Sequence, residues 1–103
     1  MFCIYSGHMR SLVIPPQLLK KLQEKHNVTR REVEQCFENR VGNYVEDDRE
    51  EHRTDPPTLW FVAPTNYERL LKIIFVFLDG NIYIKSAYKP SQEVVQLYDH
   101  KGK

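Results

Sequence analysis

The sequence predicts an α+β domain in which two N-terminal helices precede an antiparallel sheet of three to four strands, and a short C-terminal helix follows the sheet. Residues 69–87 form two long apolar stretches joined by Asp79-Gly80, a dipeptide typical of a two-residue hairpin turn. Thr29 and Glu32 have the T-x-x-E spacing of a capping box, which marks the beginning of a helix. We expect the helices to gather on one face of the sheet.

The helices are predicted from their start signals and from apolar residues at helical spacing. Pro15-Pro16 opens the first helix, because proline fits the first helical turn, where its missing N–H is not needed. The second helix follows the capping box and ends between Asn39 and Gly42. The third helix begins at residues 89–91. The apolar residues that face the core are Leu18, Leu19 and Leu22 in the first helix, Val33, Cys36 and Phe37 in the second, and Val94, Val95 and Tyr98 in the third.

The strands are predicted from apolar runs between turn signals. Residues 58–63 form one strand, a short strand over 41–45 can precede it, and the hairpin supplies two more. The two-residue turn sets the hairpin register, and opposed residues share one face of the sheet. The predicted register pairs Val76 with Tyr83, Ile74 with Lys85 and Lys72 with Ala87 on one face, and Phe77 with Ile82, Phe75 with Ile84 and Ile73 with Ser86 on the other.

One face of the predicted sheet combines cations with aromatic rings. Tyr83, Lys85 and Lys72 lie on this face in the predicted register. Trp60 joins them opposite Lys72 if the connecting loop has five residues, whereas an even loop length would turn Trp60 to the other face. Such a face suits an anionic partner. The alternative is a half-solvated sheet face, which most antiparallel sheets have.

Composition indicates one globular domain over residues 1–103, with 41% hydrophobic and 28% charged residues. The net charge of +1 is unevenly distributed, since residues 46–55 hold six acids against two arginines. From Arg69 onward, six basic residues oppose three acids. This pattern fits a local anion site and excludes a chain that coats nucleic acid without specificity, which would be basic throughout.

The N-terminal residues and the two cysteines are the features of the sequence that indicate a cellular location. Residues 1–10 lack the basic and apolar regions of a signal peptide, and we interpret them as a disordered segment or an additional N-terminal extension. The sequence contains no apolar run long enough to span a bilayer, so we expect no membrane partner. Cys3 and Cys36 form neither a disulfide framework nor a metal quartet. We therefore expect a cytoplasmic protein with no bound metal.

Several short patterns occur in a characteristic order over residues 14–99. They are Lys25-His26, the capped helix that ends at Phe37, the segment 48–53, Arg69-Leu70-Leu71, Ser86-Ala87, Glu93 and Tyr98. In this order they resemble the BrnT toxins, a branch of the RelE-like fold. The resemblance implies a type II toxin that cleaves RNA and inhibits growth. It also implies that no cofactor is needed, and that the partner is an antitoxin of the ribbon-helix-helix, DNA-binding kind.

Such a toxin would need groups that handle a phosphate. In metal-independent cleavage the 2′-hydroxyl attacks the neighbouring phosphorus, so the protein binds the phosphate, stabilises its extra charge and transfers protons. Arg69 is a candidate for phosphate binding, because a guanidinium pairs with two oxygens and stays charged. Lys72 and Lys85 lie within cross-strand reach of each other in the predicted register. They are candidates for charge stabilisation or proton abstraction. His52 and Arg53 are candidates for a proton carrier and a phosphate clamp.

Four further residues are candidates for substrate binding. Trp60, Tyr83 and Tyr98 can stack on bases splayed out of a single strand. Lys89 can contact the backbone. Three of them have a structural alternative: core packing for Trp60 and Tyr98, and a solvated side chain for Lys89. For Arg69 the alternative is a salt bridge at the strand end to Glu68 or Glu50.

Two other functions remain open. Tyr88-Lys89 stands where BrnT chains usually have two arginines, which favours a relative that binds RNA or protein without catalysis. The acids Glu46, Asp47, Asp48, Glu50 and Glu51 could instead hold a divalent cation, as in an ADP-ribosyl hydrolase. Enzymes with that chemistry are far longer helical proteins, and an acidic run is usually a solvated loop.

Overall fold

The computed structural model describes residues 11–47 and 55–102. Within these ranges the chain forms three helices and a five-stranded sheet with the strand order β1-β5-β4-β3-β2. The helices are α1 (Pro16–His26), α2 (Arg30–Asn39) and α3 (Gln92–Lys101). The strands are β1 (Leu12–Val13), β2 (Val45–Glu46), β3 (Leu59–Pro64), β4 (Leu70–Leu78) and β5 (Asn81–Tyr88). The α+β class and the helix order are confirmed.

The helix starts follow the predicted signals. Pro16 is the first residue of α1, where proline costs no hydrogen bond. Thr29 Oγ1 accepts a hydrogen bond from the backbone N–H of Glu32 at 3.2 Å, and the Glu32 carboxylate accepts one from the backbone N–H of Thr29 at 3.0 Å. Ser91 caps α3 by accepting a bond from the N–H of Val94 at 3.2 Å. The capping box is therefore formed as the sequence indicates.

The sheet has one strand more than the predicted three to four and is not wholly antiparallel. β1 pairs in parallel with β5, Leu12 opposite Ile82 and Val13 opposite Tyr83. A strand of two residues leaves no alternation to recognise in the sequence, and its parallel pairing depends on the fold around it. β2 also has only two residues, pairing Val45 with Trp60.

The hairpin turn is confirmed, but half of the predicted register is wrong. Asp79 and Gly80 have φ angles of 53° and 80°, the positive values that a type I′ turn requires. The pairs nearest the turn, as far as Phe75 with Ile84, are those predicted. Beyond them the register shifts by one residue. Ile74 therefore pairs with Ser86 instead of Lys85, Ile73 with Ala87 instead of Ser86, and Lys72 with Tyr88 instead of Ala87.

The helices lie on both sides of the sheet, which corrects the expectation that they share one face. α2 packs through Phe37, whose ring centroid lies 4.8 Å from that of Phe61 on β3. Side chains alternate along β3, so the neighbouring Trp60 points to the opposite side. There the ring of Tyr98, on α3, lies 5.7 Å from the Trp60 ring. We call this second side, which carries Trp60, the far face.

Trp60 and Lys72 stay together on the far face as predicted, although their pairing differs. Trp60 pairs with Ile74 and Val62 pairs with Lys72, a displacement of two residues from the predicted register. A shift of two residues preserves the face, so Trp60 and Lys72 still lie on the same side. The bulge adds Tyr88 to this side, since it now opposes Lys72.

Candidate functional site

Lys72 lies on the far face, where its ammonium is close to two aromatic rings. Its Nζ lies 4.6 Å from the ring centroid of Trp60 and 6.0 Å from that of Tyr88. An ammonium at this distance over an indole is attracted by the electron-rich ring face, by about 0.5–2 kcal/mol depending on exposure. Trp60 is only 6% exposed, so its ring supports Lys72 and is not an open stacking platform. The contact holds one positive charge at a defined place on the sheet.

Tyr88 links Lys72 to the end of α1. The ring of His26, the last residue of α1, lies 5.7 Å from the ring of Tyr88. All three side chains are half-buried. Sequence reasoning did not place His26 or Tyr88 in the site, because the predicted register turned Tyr88 away from Lys72. The spacing of apolar residues on β5 is irregular: Ile82 and Ile84 are two residues apart, whereas Ile84 and Ala87 are three apart. This irregular spacing is the signal in the sequence that could have revealed the bulge.

Arg69 holds the α1–α2 turn in place. Its guanidinium donates hydrogen bonds to the carbonyl oxygens of His26 and Asn27, each at 2.7 Å, and pairs with the Glu32 carboxylate at 3.1 Å. Carbonyls at the end of a helix have no donor within the helix, and a cation there is favoured. The predicted salt bridge at this strand end is present, with Glu32 as its acid in place of Glu68. Glu50, the other predicted partner, lies outside the described residues.

Tyr98 is buried between α3 and the segment before β2. It is 3% exposed, and its hydroxyl donates a hydrogen bond to the Asn43 carbonyl at 2.9 Å. Burial raises the pKa of the Tyr98 phenol, an effect that the nearby Arg40 partly opposes. A β-carbon at Gly42 or Gly102 would lie less than 3 Å from this side chain. The structure therefore places the Tyr98 ring away from any surface that a base could reach.

Lys85 and Lys89, two further cations of the predicted site, are both exposed. Lys85 is exposed beside the register shift, three residues along β5 from Tyr88. Three residues span about 10 Å of strand, so Lys85 and Lys72 are not the close pair that the sequence predicted. Tyr83 is half-buried opposite Val76. Lys89 is exposed and lines an open cleft of about 710 Å³ together with Arg69 and the first turn of α3.

A smaller cavity of about 190 Å³ lies between the sheet and α3 and contains charges of both signs. Lys72 and Lys101 line it, as do Glu46 and Asp47. An anion that approaches Lys72 through this cavity also meets carboxylates.

Two of the predicted site residues, His52 and Arg53, lie outside the described residues, as do Asp48, Glu50 and Glu51 of the alternative metal site. Among residues 11–47 and 55–102, no group of three His, Cys, Asp or Glu side chains is placed to hold a metal ion. No helix in that part of the chain is both long and apolar enough to cross a bilayer.

Cys36 is a core residue with an unreactive thiol. It is fully buried, and its Sγ contacts the Ala63 carbonyl at 3.4 Å. Burial raises the pKa of the Cys36 thiol from 9.0 to about 12. The thiolate is the reactive form of cysteine, so this side chain is unsuited to nucleophilic chemistry.

The stability of the fold is expected to depend on Cys36 at alkaline pH. The raised pKa means that the unfolded chain loses the thiol proton from 9.0 upward while the folded chain keeps it to about 12. This contribution to stability is complete below 9.0 and declines above it, by at most about 1.4 kcal/mol per pH unit. Urea unfolding of Cys36→Ala across this range should show a shallower alkaline decline than the parent chain. Equal slopes would contradict this assignment.

A scan of protein-family models found no match for the chain, and neither did searches among curated proteins and solved structures. The resemblance to the BrnT toxins therefore stays a prediction from the sequence.

Proposed function

We propose that this chain is the toxin component of a type II toxin–antitoxin system and that it cleaves RNA in the cytoplasm without a metal ion. The 2′-hydroxyl would lose its proton, its oxygen would attack the phosphorus, and the 5′-oxygen would leave and take up a proton. The products are a 2′,3′-cyclic phosphate and a 5′-hydroxyl end. The antitoxin would be a ribbon-helix-helix, DNA-binding protein.

The observation that supports this proposal most is the position of Lys72. Its ammonium is held against Trp60 and Tyr88 on the sheet face opposite α2. A fixed positive charge beside a half-buried aromatic ring, here Tyr88, is the combination that binds a phosphate and its adjoining base in single-stranded nucleic acid. A charge already in position also needs no reorganisation when negative charge develops on the phosphate.

The roles of the other candidates change with the geometry. Arg69 donates to two carbonyls and pairs with the Glu32 carboxylate, so we propose a supporting role for it in place of phosphate binding. Lys72 takes the place next to the phosphate. Lys85 and Lys89, both exposed, would contact the flanking backbone. His52 stays a candidate for the proton carrier.

Replacing both Lys72 and Lys85 with alanine is expected to abolish RNA cleavage. The purified chain should degrade single-stranded RNA in the presence of EDTA. The double variant should lose about 100-fold or more of this activity, because each lost charge destabilises the anionic transition state. The initial rate is measured on an end-labelled oligoribonucleotide, and the cyclic phosphate is identified in the product.

The matched control is the double variant Lys20→Ala, Lys21→Ala. It removes the same charge from the exposed side of α1. It should retain at least about half of the activity, since screening weakens charges far from the substrate. Full activity in the Lys72, Lys85 variant would exclude the mechanism.

A binding protein without catalysis is the second candidate function. Two observations favour it: the Arg69 guanidinium and the Tyr98 hydroxyl both have protein partners already. Expression in growing bacteria separates the two candidates. Growth arrest that a neighbouring antitoxin gene relieves would favour the toxin, whereas normal growth with intact RNA binding would favour the binding protein.

A further inference from the structure

His26, Tyr88 and Lys72 form a cluster that the predicted site did not include as a unit. We propose that this cluster binds one nucleotide of a single-stranded RNA, with the base stacked on Tyr88 and His26 and its phosphate on Lys72. The inference rests on the proposed function, because it names the part of the far face that the RNA would occupy. It also assigns a binding role to His26 and Tyr88, two residues that sequence reasoning left outside the site.

The spacing of the three side chains fits a nucleotide. Tyr88 is near both of the others, with its ring centroid 5.7 Å from that of His26 and 6.0 Å from Lys72 Nζ. The rings of His26 and Tyr88 are inclined by 44°, so they are not stacked face to face on each other. Neither ring is therefore covered face to face by the other, and both residues are only half-buried, so part of each side chain is open to a ligand.

The chemistry of the cluster favours nucleic acid over other anions. A phosphate alone would need only the cation, whereas two aromatic rings beside it provide a surface for a base. Stacking tolerates any base, since every base has a π-face. Bases within a duplex are already stacked on their neighbours, so a single strand is the form that can use such a surface.

Arg69 is a positioning residue for this cluster. It donates to the backbone carbonyl of His26 and to that of Asn27, each at 2.7 Å. These bonds attach the end of α1 to Arg69, the residue directly before β4 and three residues before Lys72. Arg69 therefore links the backbone of His26 to the strand that carries Lys72, without itself touching the substrate.

The test is binding of a fluorescein-labelled 2′-O-methyl oligoribonucleotide, which cannot be cleaved because its nucleophile is blocked. Fluorescence anisotropy at low, fixed salt gives the dissociation constant. Tyr88→Leu and His26→Ala are each expected to weaken binding at least about fivefold, as the loss of a stacking side chain does. Tyr88→Phe keeps the ring and should restore affinity to within about twofold of the parent chain.

Matched controls are Tyr67→Leu and His100→Ala, which change an exposed tyrosine and an exposed histidine elsewhere. Both should bind as the parent chain does. Circular dichroism melting curves establish that each variant is folded. Since Trp60 is the single tryptophan and Lys72 lies over its ring, oligonucleotide binding to the unmodified chain should also change tryptophan emission. This second measurement needs no variant.

Three outcomes would overturn the inference: unchanged affinity in the folded Tyr88→Leu and His26→Ala variants, loss of affinity in Tyr88→Phe equal to that in Tyr88→Leu, or no binding by the parent chain. The cleavage assay decides the proposed function separately. A parent chain that cleaves RNA while both variants bind normally would remove only the nucleotide site. A chain that neither binds nor cleaves would remove both proposals.

Discussion

Replacing Tyr98 with alanine is expected to lower the free energy of unfolding by about 3–5 kcal/mol, the usual cost of removing a large buried ring. Tyr98 is 3% exposed, and its ring lies 5.7 Å from that of Trp60. Val94 and Val95 on the same helix are only half-buried. Tyr98 is therefore the main anchor of α3. A domain of this size is stable by about 5–15 kcal/mol, so the variant should melt at a much lower temperature.

Chemical unfolding followed by circular dichroism measures this effect. Tyr98→Phe keeps the ring and loses only the hydrogen bond to the Asn43 carbonyl, so it should cost about 1 kcal/mol. Leu97→Ala, at a neighbouring position that is 43% exposed, is the control and should cost much less than Tyr98→Ala. A Tyr98→Ala protein as stable as the Leu97→Ala protein would show that α3 is held by other contacts.

Replacing Arg69 with alanine is expected to cost about 2–3 kcal/mol of stability. The change removes two hydrogen bonds to the α1–α2 turn and the ion pair with Glu32. Hydrogen bonds to charged groups contribute about 1.5–3 kcal/mol each, but these share one side chain and are not additive. The Arg69 side chain is 34% exposed, which also reduces the stabilising free energy that the ion pair with Glu32 contributes.

Arg69→Lys is the informative companion variant. A lysine has a single ammonium at the end of a flexible stem and cannot reproduce the planar fork that reaches two carbonyls at once. It should recover only part of the lost stability. Lys89→Ala changes the other cation of the same open cleft, which is exposed, and should shift stability by no more than about 0.5 kcal/mol. Equal stability of Arg69→Ala and the parent chain would exclude the proposed support of the turn.

The local signals in the sequence predicted the local structure. The capping box at Thr29, the proline at the start of α1 and the Asp79-Gly80 turn each act through backbone geometry within a few residues. Such features depend little on the rest of the fold. The pairs closest to the hairpin turn were predicted for the same reason, since a two-residue turn sets the register directly beyond it.

The errors arise where distant parts of the chain decide the outcome. The bulge near Lys85 lets both Ile84 and Ala87 face the core. This arrangement depends on packing between the sheet and the helices, and the hairpin turn does not determine it. The apolar stripe of α3 could have packed on either face of the sheet. It packs on the far face, where Tyr98 contacts the buried Trp60. β1 has only two residues and forms a strand only through its pairing with β5. These same effects changed the candidate site, because they placed Tyr88 beside Lys72.

The central claim is that single-stranded RNA binds to the far face at Lys72, Tyr88 and His26. The most direct measurement is a two-dimensional ¹H–¹⁵N NMR titration of the labelled protein with the uncleavable oligoribonucleotide. We predict that the amide signals of these three residues and their immediate neighbours shift most and to saturation. The claim is contradicted if the shifts cluster on the outer surface of α2 or around the hairpin turn, or if no signal moves.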